Sequence, residues 1–324
     1  MKKLLSVISV FVIIFLLFNV NVYAGTIDSK TELARLVLGN EGLGIIDGIN
    51  DVEYITRAEM AEIMCKLTNR KFDARWDPYR YSPIAFLDVN KEHWAYEYIN
   101  DLLTLQIVQG YGDETFRPDI FCTYYEFVKT LLCVLDASFY NQSMENSKSL
   151  YDYANEHLNL DVEPEKANAY ITEEDAVGLL FDSILTNVIK GPFYLYHNEH
   201  FFNHYSFLYN YGMSWEIGYI RNVAKSQYKL NSILLNGSVY NEVDFKEGAV
   251  ICFYSESFSD EEKDIVMCVH ITDNLYRYLS EVYKVYNSKI ESTKNILKDN
   301  DYFGYEYLRS YLTQGDGSTV LTAQ

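Results

Sequence analysis

Proline, cysteine and positive charge are all scarce in this chain of 324 residues: 5 Pro, 5 Cys, and 27 Lys+Arg against 46 Asp+Glu, a formal net charge of -19. That deficit of positive charge argues against nucleic acid and anionic lipid as partners, because both are bound chiefly through Lys and Arg. Scarce proline beside a 48% apolar share excludes a disordered, low-complexity chain. An odd cysteine count without close spacing excludes a dense disulfide scaffold and a Cys-x-x-Cys metal site. Cys65 and Cys133 fall within apolar helical stripes and read as buried thiols, whereas Cys252 and Cys268 lie in two strand-like runs that can face each other. Gly-x-Ser-x-Gly, phosphate-loop and dinucleotide motifs are absent, and carboxylate pairs are too common in so acidic a chain to mark a site. The expectation is a protein that is not an enzyme and has no cofactor or metal.

A long apolar run occurs once, at the N-terminus. Lys2 and Lys3 precede Leu4 to Phe18, and Val22-Tyr23-Ala24 places small residues where a signal peptidase reads. The run is short for a bilayer span, which needs roughly 20 apolar residues. The layout predicts export with cleavage after Ala24, leaving no membrane segment in the mature chain.

One helix-opening signal occurs three times: Thr56-Arg57-Ala58-Glu59, Thr123-Tyr124-Tyr125-Glu126 and Thr172-Glu173-Glu174-Asp175. In the first two the threonine hydroxyl can accept from the N–H three residues on while the glutamate reaches back to the threonine N–H. The third has the shorter Asp, which still favours the positive helix end. The fourth, fifth and eighth residues after each threonine are apolar: Met60, Ala61, Met64; Phe127, Val128, Leu131; Ala176, Val177, Leu180. Those positions share one helix face. Three related helical units are predicted, each too small to bury its apolar faces alone, so they should pack together.

The middle unit is the most complete. A first helix over His93 to Leu105 has Ala95, Ile99 and Leu102 inward and Asp88 or Asn90 as cap. A loop from Ile107 to Pro118 follows, in which Gly110 and Gly112 are expected to supply positive φ. From Phe86 to Leu135 the run Phe-x-Asp, His-Trp-Ala, Gly-Tyr-x-Asp-x-Thr-Phe-Arg-Pro and then the Thr-led helix start resembles a surface-layer (S-layer) homology module. Residues 25–75 and 150–190 resemble degenerate copies on either side of the middle module at 84–136.

The resemblance implies an exported bacterial surface protein whose three modules form a pseudo-threefold helical prism. It implies non-covalent attachment to secondary cell-wall polysaccharide in the grooves. An anionic, hydroxyl-rich glycan suits an Arg fork, hydroxyl and backbone donors, and an aromatic face. By position, the resemblance places carbohydrate contacts at Arg57, Trp94 and Gly110, with Thr56 and Asp88 beside them. Each also has a plainer reading: Arg57 as a solvated first-turn charge, Trp94 as packing, Asp88 as a cap. The arginine position is Tyr124 in the second copy and Glu173 in the third, and a glutamate cannot pair with a glycan carboxylate.

Beyond Gly191-Pro192 the pattern changes. Apolar runs at Ile217 to Val223, Tyr228 to Leu235, Val239 to Val243, Ala249 to Tyr254 and Ile265 to Ile271 read as strands, with Asn236-Gly237 as a hairpin turn. Leu275, Leu279, Val282, Tyr286 and Ile290 have helical spacing. His197, Glu199, His200 and His204 invite a metal reading, but not in the His-Glu-x-x-His order, and packing between domains is the preferred reading. The expected class is α+β: signal peptide 1–24, an all-α prism, and a small β-rich domain with a C-terminal helix over 192–324. That domain is expected to contact a surface protein partner. Two alternatives stand beside wall anchoring: a wall-anchored enzyme acting on glycans through the C-terminal region, and a structural protein whose modules no longer bind.

Overall fold

A computed structural model describes residues 21–49, 52–67, 86–104, 107–135, 147–158, 160–185, 213–224, 227–230, 233–236, 247–255 and 265–285. The class is α+β. The chain divides into two units, one of Asp28–Tyr211 and the other of Met1–Ile27 with Gly212–Gln324.

The helical unit contains α1 (Lys30–Leu38), α2 (Arg57–Leu67), α3 (Tyr96–Thr104), α4 (Tyr124–Leu135), α5 (Ser147–Leu158), a 3₁₀ turn (Pro164–Lys166) and α6 (Glu173–Leu185). All nine apolar residues anticipated behind the three threonines are at most 1% exposed. The first helix of the middle unit begins at Tyr96 and not at His93, and Ala95 just before it, with Ile99 and Leu102 within it, is fully buried. Each large side chain among them contributes about 1.5–3 kcal/mol of burial. The expected helix, loop, helix order holds for the middle unit, and both of its helices meet α2 of the unit before. The pairings are α1 with α6, α2 with α3, α2 with α4, and α4 with α5. The first helix of each unit thus lies on the second helix of the preceding one, and the first unit closes on the third.

The closure is made by the backbone. Tyr54 pairs with Thr172, Thr56 with Phe121, and Thr123 with Tyr170, each as an isolated antiparallel bridge. Ile55 N–H donates to Ile171 C=O (3.2 Å), Ile171 N–H to Cys122 C=O (3.0 Å), and Cys122 N–H to Ile55 C=O (2.7 Å), a closed ring of three hydrogen bonds. All three residues are fully buried. Buried peptide groups must be paired, and short segments before helices have no ladder of their own, so they satisfy one another in a circle.

The second unit is a six-stranded mixed sheet in the order β1-β6-β5-β2-β3-β4. Its strands are β1 (Asn21–Ile27), β2 (Met213–Ala224), β3 (Gln227–Leu230), β4 (Ile233–Asn236), β5 (Gly248–Ser255) and β6 (Ile265–Ile271). The one strand expected from Tyr228 to Leu235 is corrected to two, with Leu230 opposite Ile233. Asn231 and Ser232 between them are turn-forming residue types. Val239 to Val243 and Gly237 of the expected hairpin lie outside the described residues. The parallel pairing of β1 with β6 was not anticipated, because the sequence around β1 reads as the end of a leader. Residues 273–285 form the expected helix, α7, with Leu275 and Leu279 buried. Trp215 meets Tyr283 edge-on at 5.0 Å and Tyr219 meets Tyr276 at 4.7 Å, which places α7 on one face of the sheet.

Candidate functional site

The three threonines open α2, α4 and α6. Thr56 and Thr123 make the full reciprocal cap: Glu59 N–H and Glu126 N–H donate to the threonine hydroxyls at 3.2 Å each. Threonine N–H groups donate back to Glu59 at 2.7 Å and Glu126 at 2.9 Å. In the third copy Asp175 N–H donates to Thr172 at 3.1 Å, and the shorter carboxylate instead accepts from Lys166 Nζ at 2.8 Å. That hydrogen bond, followed by one to Glu163, raises the Lys166 pKa.

The residue after each threonine reaches into the next unit. Arg57 is only 5% exposed. It donates through Nε to Phe116 C=O (2.9 Å), through Nη1 to Glu126 (2.7 Å) and through Nη2 to Gln109 C=O (3.3 Å). Its guanidinium also lies 4.9 Å from the Tyr111 ring centre and 4.5 Å from that of Phe116. Tyr124, in the second unit, accepts from Glu163 N–H of the third at 3.1 Å. Glu173, in the third, takes a two-pronged bond from Arg35 of α1. Cation, phenol and carboxylate therefore do the same geometric work by different chemistry.

Arg57 forms one wall of the middle loop. Gly110 packs beneath Phe86, and a Cβ there would lie 2.1 Å from Phe86 Cε1 and 2.7 Å from Thr115 C=O. The expected positive φ at Gly110 and Gly112 is corrected: in this loop it occurs at Glu114 (62°) and Arg117 (58°). Asp88 holds that end of the loop, accepting from Phe116 N–H at 2.9 Å and Arg117 N–H at 2.7 Å. The cap at the start of the first helix falls to Asn90, which accepts from Glu92 and His93 N–H. Arg117 lies 4.0 Å over Tyr111 and donates to Asp113 at 2.8 Å. Hydrogen bonds from Thr115 first, then Arg117, lower the Asp113 pKa to about 2. Trp94 stacks on His93 and remains 54% exposed. Of the residues singled out from sequence, Arg57, Gly110 and Asp88 thus converge on the middle loop and Thr56 sits at a helix start, while Trp94 presents its ring to solvent.

Three further features were not identified from sequence. Glu126 is both cap and counter-ion, since Oε1 accepts from Arg57 and from the Tyr111 hydroxyl (3.2 Å). Arg35 was not singled out as the partner of Glu173. Tyr54, Phe121 and Tyr170 form an aromatic triangle with ring centres 5.5, 5.4 and 5.8 Å apart, and Phe121 and Tyr170 are 44% and 53% exposed. The signal for the triangle was present, because each of its members stands two residues before a capping threonine. No cluster of three metal-ligating side chains occurs among the described residues. His197, Glu199, His200 and His204 lie outside them. No described helix is long and apolar enough to cross a membrane.

Comparison with known proteins agrees with the loop's geometry. Residues 85–128 match the S-layer homology domain family, so the chain contains one such domain. It is also similar to a "Cell surface protein" of Thermoanaerobacter kivui, with 27% identity over 128 residues, 37% of this chain and 16% of that protein.

Proposed function

We propose that this protein is exported and held non-covalently at the cell surface through S-layer homology modules that bind secondary cell-wall polysaccharide. The domain at 85–128 and the similarity to a cell surface protein support that setting. The observation that carries the reading is the hydrogen-bonded ring at Ile55, Cys122 and Ile171, since it joins three similarly capped units into one body. On this reading the units before and after the middle one are diverged modules, and together the three form a pseudo-threefold prism. Cleavage after Ala24 falls within β1 and leaves Thr26 and Ile27 to pair with β6, and the chain breaks no bond and uses no cofactor. Its sheet unit contacts another surface component.

Glycan contact is assigned to the middle loop. Trp94 offers the exposed ring for sugar C–H groups, and Gly110 lets Phe86 close against the loop beside Thr115. Arg57, already bonded to two carbonyls and Glu126, positions that wall, while Thr56 and Asp88 hold its ends. The test is co-sedimentation with purified wall sacculi. Binding should vanish when the attached polysaccharide is stripped and fall roughly three- to tenfold in Trp94→Ala, the range expected for one lost aromatic contact. Equal binding to stripped peptidoglycan refutes the polysaccharide reading.

The exposed triangle of Tyr54, Phe121 and Tyr170 favours a second reading, in which the helical unit packs against a protein partner and has no affinity for glycan. Crosslinking to one surface protein on intact cells, lost in Phe121→Ser, together with no sedimentation on sacculi, would select it.

A further inference from the structure

We propose that Cys252 and Cys268 form a cross-strand disulfide that staples β5 to β6. The two residues are direct partners in the antiparallel register. Directly opposed residues of antiparallel strands have Cα atoms about 4.5–5.5 Å apart, inside the separation a disulfide spans. Both side chains project from the same face of the sheet, opposite the face that carries α7, and their sulfurs are 2.8 Å apart. Both are fully buried. By contrast, Cys65 is directed at Tyr98 C=O, and Cys122 at Met60 and Thr123 C=O.

The chemistry is thiol–disulfide exchange with a small disulfide oxidant. One cysteine thiolate attacks the oxidant's disulfide, forming a mixed disulfide and releasing one thiol. The second then attacks the protein sulfur of that mixed disulfide and releases the other thiol. Two thiols lose two electrons and two protons, and the oxidant is reduced by the same amount. Burial raises the Cys252 pKa and so suppresses the attacking thiolate in the folded sheet. The bond therefore forms while β5 and β6 are pairing, and once formed it is shielded from reductant. The surface setting proposed above is one where such bonds persist, but the pairing itself rests on register and distance alone.

The test uses the full chain, reduced and unfolded in urea, then diluted into buffer containing glutathione disulfide, quenched with iodoacetamide in concentrated urea and digested. Mass spectrometry is expected to find one cross-linked peptide joining Cys252 to Cys268, with Cys65, Cys122 and Cys133 alkylated. Alkylation of Cys252 and Cys268, stable glutathione adducts on them, or a link from either to another cysteine would overturn the proposal. The unfolding equilibrium of the sheet unit should shift about a hundredfold between oxidised and reduced protein, and an unchanged equilibrium would overturn the stapling role. Neither readout depends on sacculus binding, so the failure of one proposal leaves the other standing.

Discussion

Arg57 neutralises Glu126, a carboxylate whose other oxygen accepts from Thr123 N–H to cap α4. Arg57→Ala removes the counter-ion of Glu126 and the guanidinium donors to Phe116 C=O and Gln109 C=O. Breaking a largely buried pair in this way costs about 3 kcal/mol, read as a lower urea midpoint for the helical unit. Arg57→Lys keeps the charge but loses the fork and the stacking, and should cost about half as much. Asp113 is the residue to follow with pH. Its pKa is lowered from 3.8 to about 2, so its contribution to the loop is complete above 3.8 and is lost as pH falls through about 2. The carboxyl carbon shift of Asp113 should titrate near the lower value, and Arg117→Ala should move that midpoint upward. None of this was legible from composition. An arginine in a first helical turn reads as solvated, and its burial depends on acceptors about fifty or more residues away.

Helix starts were the most legible elements, because a threonine and an acid three residues later interact through local geometry. Thr56→Ala and Thr123→Ala should each cost about 1–2 kcal/mol, and Thr172→Ala about 1 or less, because Asp175 returns no bond to its cap. Urea unfolding of the three variants checks that order, and an equal loss at all three would contradict it. The loop was partly legible. Gly110 was expected for its dihedral freedom, yet its role is to leave room for Phe86, and sequence spacing carries no record of which ring lies above a glycine. Strands were found where apolar runs were continuous. The single run from Tyr228 to Leu235 concealed a division into two strands because Asn231-Ser232 is weaker punctuation than Asn-Gly.

Across the helical unit, the three threonine-led helix starts were legible and their wiring was not. Each apolar stripe told which face is buried but not against whom, and the partner turned out to be the neighbouring unit. Ring closure therefore predicts cooperative behaviour. The amides of Ile55, Cys122 and Ile171 should exchange hydrogen at one common rate set by global opening. Arg57→Ala should accelerate all three together, and acceleration confined to Ile55 and Cys122 would mean that the units open separately.

The ring of Ile55, Cys122 and Ile171 is built from peptide groups, which every non-proline residue carries. The main chain alone closes the circle, so the three positions that follow the threonines add inter-unit bonds through arginine, tyrosine and glutamate without having to share one chemistry. A threefold pattern is held in the main chain, while each third differs in the side chains it presents.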